Sequence, residues 1–335
     1  SPGPDKIHYQ FLKHLPFSCL EVLRDIFNTI WNDGLYPPSW SEARIIPIPK
    51  PNKDPTNETN YRPISLTSCL CKSMERIINN RLVWLLEKTN SLSSLQSGFR
   101  KSRSTTDHLI RLESFIRQSF VKGEHNVALF FDLEKAYETT WKYGIMKDLH
   151  DLGLQGNLPT FINKFLNDRT FQVRVGSTLS DTFDQESGVP QGSILSVTLF
   201  IIKINSVTNC LTQCLGTKGS LYVDDLQVCY SGKSMSSIER QLQLCLKKLE
   251  KWANENGFKF STSKTVCVHF CRGKRQHPDP ELTLNGNPIP VVTQIKFLGL
   301  IFDNKLNVLP HLKYLKERCK KALNLLRVVS HLNWG

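Results

Sequence analysis

Two adjacent acids, Asp224 and Asp225, stand inside the stretch Ser220-Leu221-Tyr222-Val223-Asp224-Asp225-Leu226-Gln227-Val228-Cys229-Tyr230. Neighbouring carboxylates repel, so such a pair is costly unless cations hold it or water screens it. A solvated turn is the plain alternative for an isolated Asp-Asp. A third acid shifts the balance. Val127-Ala128-Leu129-Phe130-Phe131 is a continuous apolar run of strand length that ends in Asp132, as expected of a buried strand delivering a carboxylate to a sheet edge. Three carboxylates make a fair oxygen-ligand set for Mg²⁺. Two-metal phosphoryl transfer needs such a set, with its ions roughly 3.5–4 Å apart.

The elements that must position these acids can be read around them. β-branched and aromatic residues flank the Asp pair, while Asp-Asp suits a tight turn, so the stretch reads as a β-hairpin with both acids at or beside its tip. Leu133-Glu134-Lys135-Ala136-Tyr137-Glu138 reads as the first turn of a helix. Gly188-Val189-Pro190-Gln191-Gly192-Ser193 reads as a tight loop opening an apolar helix at Ile194-Leu195, and its small residues let a backbone approach a nucleotide or template base closely. Ile238, Leu242, Leu246, Leu249 and Trp252 form the apolar face of a helix that ends at Gly257.

Further out, Leu20, Val22, Leu23, Ile26, Phe27, Ile30 and Trp31 recur at helical spacing before Gly34 and Pro37-Pro38. Ala43 to Lys50 reads as an edge strand, because prolines would break an interior ladder. Tyr61 to Leu66 follows, then a helix from about Lys72 to Glu87, and Phe171 to Gly176 alternates as a strand. Gln96 to Thr106 is a basic loop with hydroxyls and one aromatic, a mixture suited to phosphate contacts and base stacking. A charged entrance to the next helix, capped by Thr106 or Asp107, is the other reading of it. Arg272-Gly273-Lys274-Arg275 reads as a basic turn. Leu312, Leu315, Ala322, Leu326 and Val329, interleaved with Lys316, Arg318, Lys320 and Lys321, read as a basic helix.

The 335 residues suffice for two or three domains and a substantial core. With 43 basic and 30 acidic residues the net charge is +13, which suggests a polyanionic partner. The ten cysteines include no Cys-x-x-Cys pair. Cys210/Cys214 and Cys267/Cys271 lack histidines at finger spacing, so free thiols in a reducing intracellular compartment, nucleus or cytoplasm, are expected rather than a zinc site. No apolar run approaches the ~20 residues of a membrane span and no signal peptide opens the chain, so no membrane partner is expected. A chain opening on Ser1 is expected to be a piece of a longer polypeptide.

Tyr222-Val223-Asp224-Asp225, taken with Asp132 and Ser187-Gly188-Val189-Pro190-Gln191-Gly192-Ser193, resembles the polymerase core of a reverse transcriptase. More narrowly, it resembles the jockey-like non-LTR retrotransposon enzymes, and the motifs run in that family's order over nearly the whole chain. The resemblance implies an α+β right-hand polymerase. Its fingers would take residues 1–122 and 146–186, its palm 123–145 and 187–305, and its thumb would begin at 306–335. It implies RNA-directed DNA polymerase activity on an RNA template, a DNA primer or target, and dNTPs. Asp132, Asp224 and Asp225 would be catalytic and would hold two Mg²⁺, or Mn²⁺.

Lys50, Arg62, Gln191, Gly192 and Lys264 match nucleotide-binding positions, and Tyr137 matches the aromatic that excludes a 2′-hydroxyl. Gly98, Phe99, Arg100 and Arg103 match a template-binding segment, and Leu298 and Gly299 a hairpin that positions a primer end. For Lys50 and Lys264 a solvated surface lysine is an equal alternative, and for Tyr137 a core tyrosine. The chain departs from the family pattern at Glu138, where aspartate is usual, and at Val197, where proline is common. Other domains of a polyprotein, an endonuclease among them, are expected outside this stretch. A non-catalytic nucleic-acid-binding descendant of the fold and a viral-type RNA polymerase are the competing readings.

Overall fold

A computed structural model describes residues 2–51, 53–273 and 278–330. In chain order its strands begin with β1 (Glu42–Pro49), β2 (Tyr61–Leu66), β3 (His125–Phe131), β4 (Thr170–Val175), β5 (Thr178–Leu179) and β6 (Phe183–Asp184). They continue with β7 (Lys218–Tyr222), β8 (Asp225–Gly232), β9 (Val266–Phe270), β10 (Thr283–Leu284), β11 (Asn287–Pro288), β12 (Gln294–Phe297) and β13 (Leu300–Asp303). The chain divides into two compact, interleaved units. One is Ser1–Ser94, Glu134–Ser206 and Glu255–Phe258; the other is Leu95–Leu133, Val207–Asn254 and Lys259–Gly335.

In the first unit the sheet runs β2-β1-β4-β5, with β6 also on β4. β1 is therefore interior, not the edge strand its prolines predict. The ladder explains why this is tolerated. β4 runs parallel to β1 only over Glu42 to Ile45, short of Pro47 and Pro49. On the other side Pro47 lies opposite Pro63, and Lys50 N donates to Asn60 O at 2.8 Å. Hydrogen-bonded pairs alternate along an antiparallel ladder, so the prolines fall where no N–H is needed.

Helices supply the core of this unit. The helix Cys69–Lys88 buries Cys71, Met74, Ile78, Leu82 and Leu86 on one face, spaced three or four apart. They pack with Ile145, Leu149, Phe161, Phe165, Leu195 and Leu199. Fully buried Glu75 sits on the same face, and its carboxylate is used structurally. It accepts from Ser193 Oγ, from Ile194 N at 2.8 Å and from Leu195 N at 3.2 Å. Glu75 thus caps the helix Ile194–Asn205 from a distant part of the chain, placing an anion at that helix's positive end. Residues 194–212 correct one expectation. This stretch is long and apolar enough to cross a membrane, with mean hydropathy 1.6, but 72% of it is buried inside the protein, as befits a core helix.

The second unit is built on an antiparallel sheet ordered β7-β8-β3-β9. β3, the apolar run preceding Asp132, is central and buried, as its composition requires. The helix Thr105–Val121 presents Leu112 and Ile116 to Ala128, Phe130, Val268 and Phe270. Ser104 is its N-cap, and Asp107, not Thr106, completes the cap by accepting Ser104 N–H at 2.8 Å. The helix Met235–Asn256 buries Ile238, Leu242, Leu246, Leu249 and Trp252 as their spacing predicts.

One further expectation changes, one is met and one is not tested. Leu133 to Glu138 forms turns with Lys135 at φ +47°, and the next helix starts only at Lys142. The final helix Leu309–Val329 forms, but none of its residues is buried. Of the basic turn at Arg272, Lys274 and Arg275 lie outside the described residues.

Candidate active site

β3 pairs with β8 from His125↔Gly232 to Phe131↔Leu226. One step further along this register, Asp132 stands opposite Asp225. β7 pairs with β8 up to Tyr222↔Asp225, which leaves Val223 and Asp224 as a two-residue hairpin loop. All three acids therefore sit at one end of one sheet, within the second unit. Two backbone contacts fix the rest of this end. Ser261 N donates to Asp132 O at 2.8 Å, and Thr265 N donates to Ser261 O at 2.9 Å. The same turn brings Lys264 Nζ to Asp132 Oδ2 at 2.9 Å, so Lys264 neutralises one acid of the three.

Among the described residues the other two acids have no such partner. Desolvation, then repulsion from Asp224 and Asp132, pushes the Asp225 carboxyl up to about 6 although it reaches solvent. Desolvation and the charge of Asp132 also raise Asp224, against the opposing pull of its own N–H. Oxygen donors that repel one another and remain open to solvent fit a hard divalent cation.

The hairpin tip is strained. Val223 has φ +60°, a conformation that is unusual for a β-branched residue and costs of order 1–3 kcal/mol. Gln96 holds it there. Fully buried, Gln96 accepts from Val223 N at 3.0 Å and from Gly98 N at 2.8 Å through Oε1, while Nε2 donates to Val223 O at 3.4 Å. Leu221 N donates to Leu95 O and Ser97 N donates to Leu221 O, which bind the Gln96 segment to β7 as a short parallel extension. The sequence draws attention to this loop as basic but not to Gln96 as a positioning residue. Its partner lies 127 residues away, and no local pattern signals the bond.

The remaining candidates are placed as follows. In the loop after Gln96, Phe99 is exposed with φ +54°, whereas Arg100 is buried and its Nη1 donates to Gln96 O at 3.0 Å. Arg103 Nη1 donates to the same oxygen at 3.4 Å. A Cβ on Gly98 would lie 2.6 Å from Val223 N, so only glycine fits there. Leu298 and Gly299, at φ +45° and +90°, form the two-residue turn between β12 and β13.

Lys50, Arg62, Tyr137, Gln191 and Gly192 belong to the first unit. Lys50 Nζ donates to Thr59 O at 2.9 Å, and Arg62 is exposed on β2. Tyr137 stacks on Phe200 at 4.7 Å between ring centroids, part-buried at the edge of the core. Gln191 O accepts from Ser65 N at 2.7 Å, while its buried side-chain Oε1 has no partner among the described residues. Gly192 has φ +125°, and a Cβ there would meet Ser65 O at 2.7 Å.

Two outcomes follow from this geometry. Without divalent cations, the wild-type protein loses stability as pH rises from about 4 to 6. Asp225 has a folded pKa above its ordinary 3.8, so protonation favours the fold and ionisation in that window penalises it. Asp225→Asn removes the penalty and gains about 1 kcal/mol above pH 6 after solvent screening. Thermal melts in chelator across this range check it; parallel pH profiles for the two proteins reject it. For Gln96→Leu, the Mg²⁺ midpoint of any metal-dependent activity rises about tenfold, the equivalent of one lost buried hydrogen bond. Rate at saturating Mg²⁺ changes less, and an unchanged midpoint shows that Gln96 does not position the hairpin.

With this geometry in place, comparison with known proteins is informative. A family model described as reverse transcriptase (RNA-dependent DNA polymerase) matches residues 48–302. Over 98% of its length the chain is 32% identical to the probable RNA-directed DNA polymerase from transposon BS of Drosophila melanogaster. It is 30% identical over its full length to the RNA-directed DNA polymerase from mobile element jockey of the same species. The chain spans 36% of the length of each of these relatives. Among solved structures, apo telomerase from Candida tropicalis truncated from its C-terminal domain superposes with a TM-score of 0.56 at 15% identity, covering 87% of this chain and 59% of that one. At that identity the likeness concerns fold alone: a right-hand polymerase of mixed α and β structure with antiparallel sheets. By its match over residues 48–302 and its likeness to jockey and BS, the chain belongs to the reverse transcriptase family, among the non-LTR retrotransposon sequences.

Proposed function

We propose that this chain carries the RNA-directed DNA polymerase activity of a non-LTR retrotransposon, extending a primer 3′-hydroxyl with dNTPs on an RNA template. The observation that carries this reading is the register that sets Asp132 opposite Asp225, with Asp224 in the adjoining two-residue loop. Asp132, Asp224 and Asp225 would hold two Mg²⁺ ions, which supply activation of the primer hydroxyl and neutralisation of the triphosphate charge.

The protein's own groups do the rest. Lys264 neutralises Asp132 and, when released from it, is a donor for phosphate oxygens. Arg62 and Lys50 provide further cations, with the planar fork of Arg62 suited to bidentate contact. Tyr137 keeps its ring fixed by stacking on Phe200 and would leave no room for a 2′-hydroxyl. The Oε1 of Gln191, without a partner among the described residues, is an acceptor that a bound nucleotide would satisfy, beside exposed Gly192. Gly98, Phe99, Arg100 and Arg103 would support the template, with Phe99 the ring available for base stacking. Leu298 and Gly299 would position the primer end.

Primer extension on RNA and DNA templates, with dNTPs and rNTPs compared, tests this reading. Asp224→Asn lowers dNTP incorporation by at least ~10²–10³-fold while leaving nucleic-acid binding intact. Wild-type incorporation by this variant removes Asp224 from the chemistry. In the same assay Tyr137→Ala admits ribonucleotides, and strict deoxyribonucleotide selection by the variant removes Tyr137 from that role.

A further inference from the structure

At the other end of β3 the structure gathers a second set of metal-binding side chains. His125 opens β3, and His269 lies near the end of β9 with Cys271 just beyond it. Val127 pairs with His269 across the two strands, so the same register carries His125 to the level of Cys271. Side chains alternate between faces along a strand. His125, His269 and Cys271 therefore share one face of the sheet, and one ligand atom from each lies within 4.8 Å of the others. His125 Nδ1 and His269 Nε2 are 3.0 Å apart, a hydrogen bond between the rings that lies a few tenths of an ångström inside the roughly 3.3 Å expected of two nitrogens on one tetrahedral zinc.

Two features preorganise the set. His269 Nδ1 lies 3.4 Å from Asp279 Oδ1, so the ring nitrogen turned away from the cluster meets a carboxylate. That arrangement fixes the orientation and tautomer of a metal-binding histidine and raises the basicity of its other nitrogen. Cys271 is anchored through its backbone, which donates to Asn304 O at 3.1 Å. The cluster is remote from the carboxylates. Seven residue steps along β3 separate His125 from Asp132, roughly 23 Å at the rise of an extended strand.

We propose that His125, His269 and Cys271 form a three-ligand site for zinc, with Asp279 orienting His269. Two imidazoles and one thiolate are the donor types that zinc selects over Mg²⁺, which takes oxygen ligands. Three protein ligands leave the fourth tetrahedral position to a water or another donor. Zinc there ties β3 to β9 at the end of the sheet away from the acids, independently of what those acids catalyse. Cys267, four residues before Cys271, takes no part, being fully buried on β9.

The test is the metal content of the purified chain after equilibration with zinc and gel filtration, read by mass spectrometry. The expected result is about one equivalent in the wild type and below about a tenth in Cys271→Ser and in His125→Gln. Asp224→Asn retains the wild-type value, which separates this site from the carboxylates. Cobalt substitution of the unmutated chain gives a second readout that does not depend on a variant folding. A tetrahedral visible spectrum with a thiolate charge-transfer band is expected. Sub-stoichiometric zinc in the wild type, wild-type zinc in both variants, or a cobalt spectrum without the thiolate band overturns the proposal.

Discussion

Repulsion among three carboxylates is the constraint that the second unit has to contain. Asp132 is carried to its place by a strand that hydrogen-bonds on both sides, to β8 and to β9, and that is buried along nearly its whole length. Such a strand cannot slip by one residue without turning its apolar set outward, so Asp132 has no means of retreating from Asp225. The relief available is local, and among the described residues Asp132 alone of the three has a cationic partner, Lys264. Asp224 and Asp225 stay raised, and that unrelieved charge makes the sheet end receptive to cations.

The first unit shows what the chain does with an acid it means to keep without a metal. Glu75 is more deeply buried than any of the three aspartates, yet its Oε2 accepts from a hydroxyl and two backbone amides at a helix N-terminus. The helix dipole and three donors compensate its desolvation. Breaking such an arrangement by removing one side leaves uncompensated buried groups and commonly costs several kcal/mol. An acid surrounded by donors serves architecture. Acids that face one another, on a strand end and a tight turn, carry a repulsion that a bound cation would relieve.

Much of this was legible in residue order, and the misses share a cause. The apolar run before Asp132 and the hairpin carrying Asp224 and Asp225 follow from local composition and form as expected. What local composition cannot supply is the partner. Lys264 is 132 residues from Asp132, and Gln96 is 127 from Val223. The interior position of β1 depends on where β4 stops, which lies outside any pattern in Ala43 to Lys50. Helical spacing at Leu20, Val22 and Ile26 predicted their helix, yet all three remain exposed. Periodicity says which way a side chain turns, not whether anything meets it. Glu138 offers the opposite lesson. Its backbone carbonyl accepts from Ser187 Oγ at 3.1 Å, a contact that any residue type supplies.

The acid hairpin and the loop beside it also behave as one mechanical piece. Val223 keeps a left-handed backbone that its branched side chain disfavours, and it does so with that side chain buried. The space it fills is the space a side chain at position 98 would need, so the strained valine and Gly98 require each other. Gln96 bonds to both through a single oxygen, and Arg100 in turn fastens the Gln96 carbonyl. Exposed Phe99 is thus joined through Gly98 and Gln96 to the residue preceding Asp224. Strain of this kind persists only where the surroundings over-determine it, and here the surroundings are a loop whose ring faces solvent.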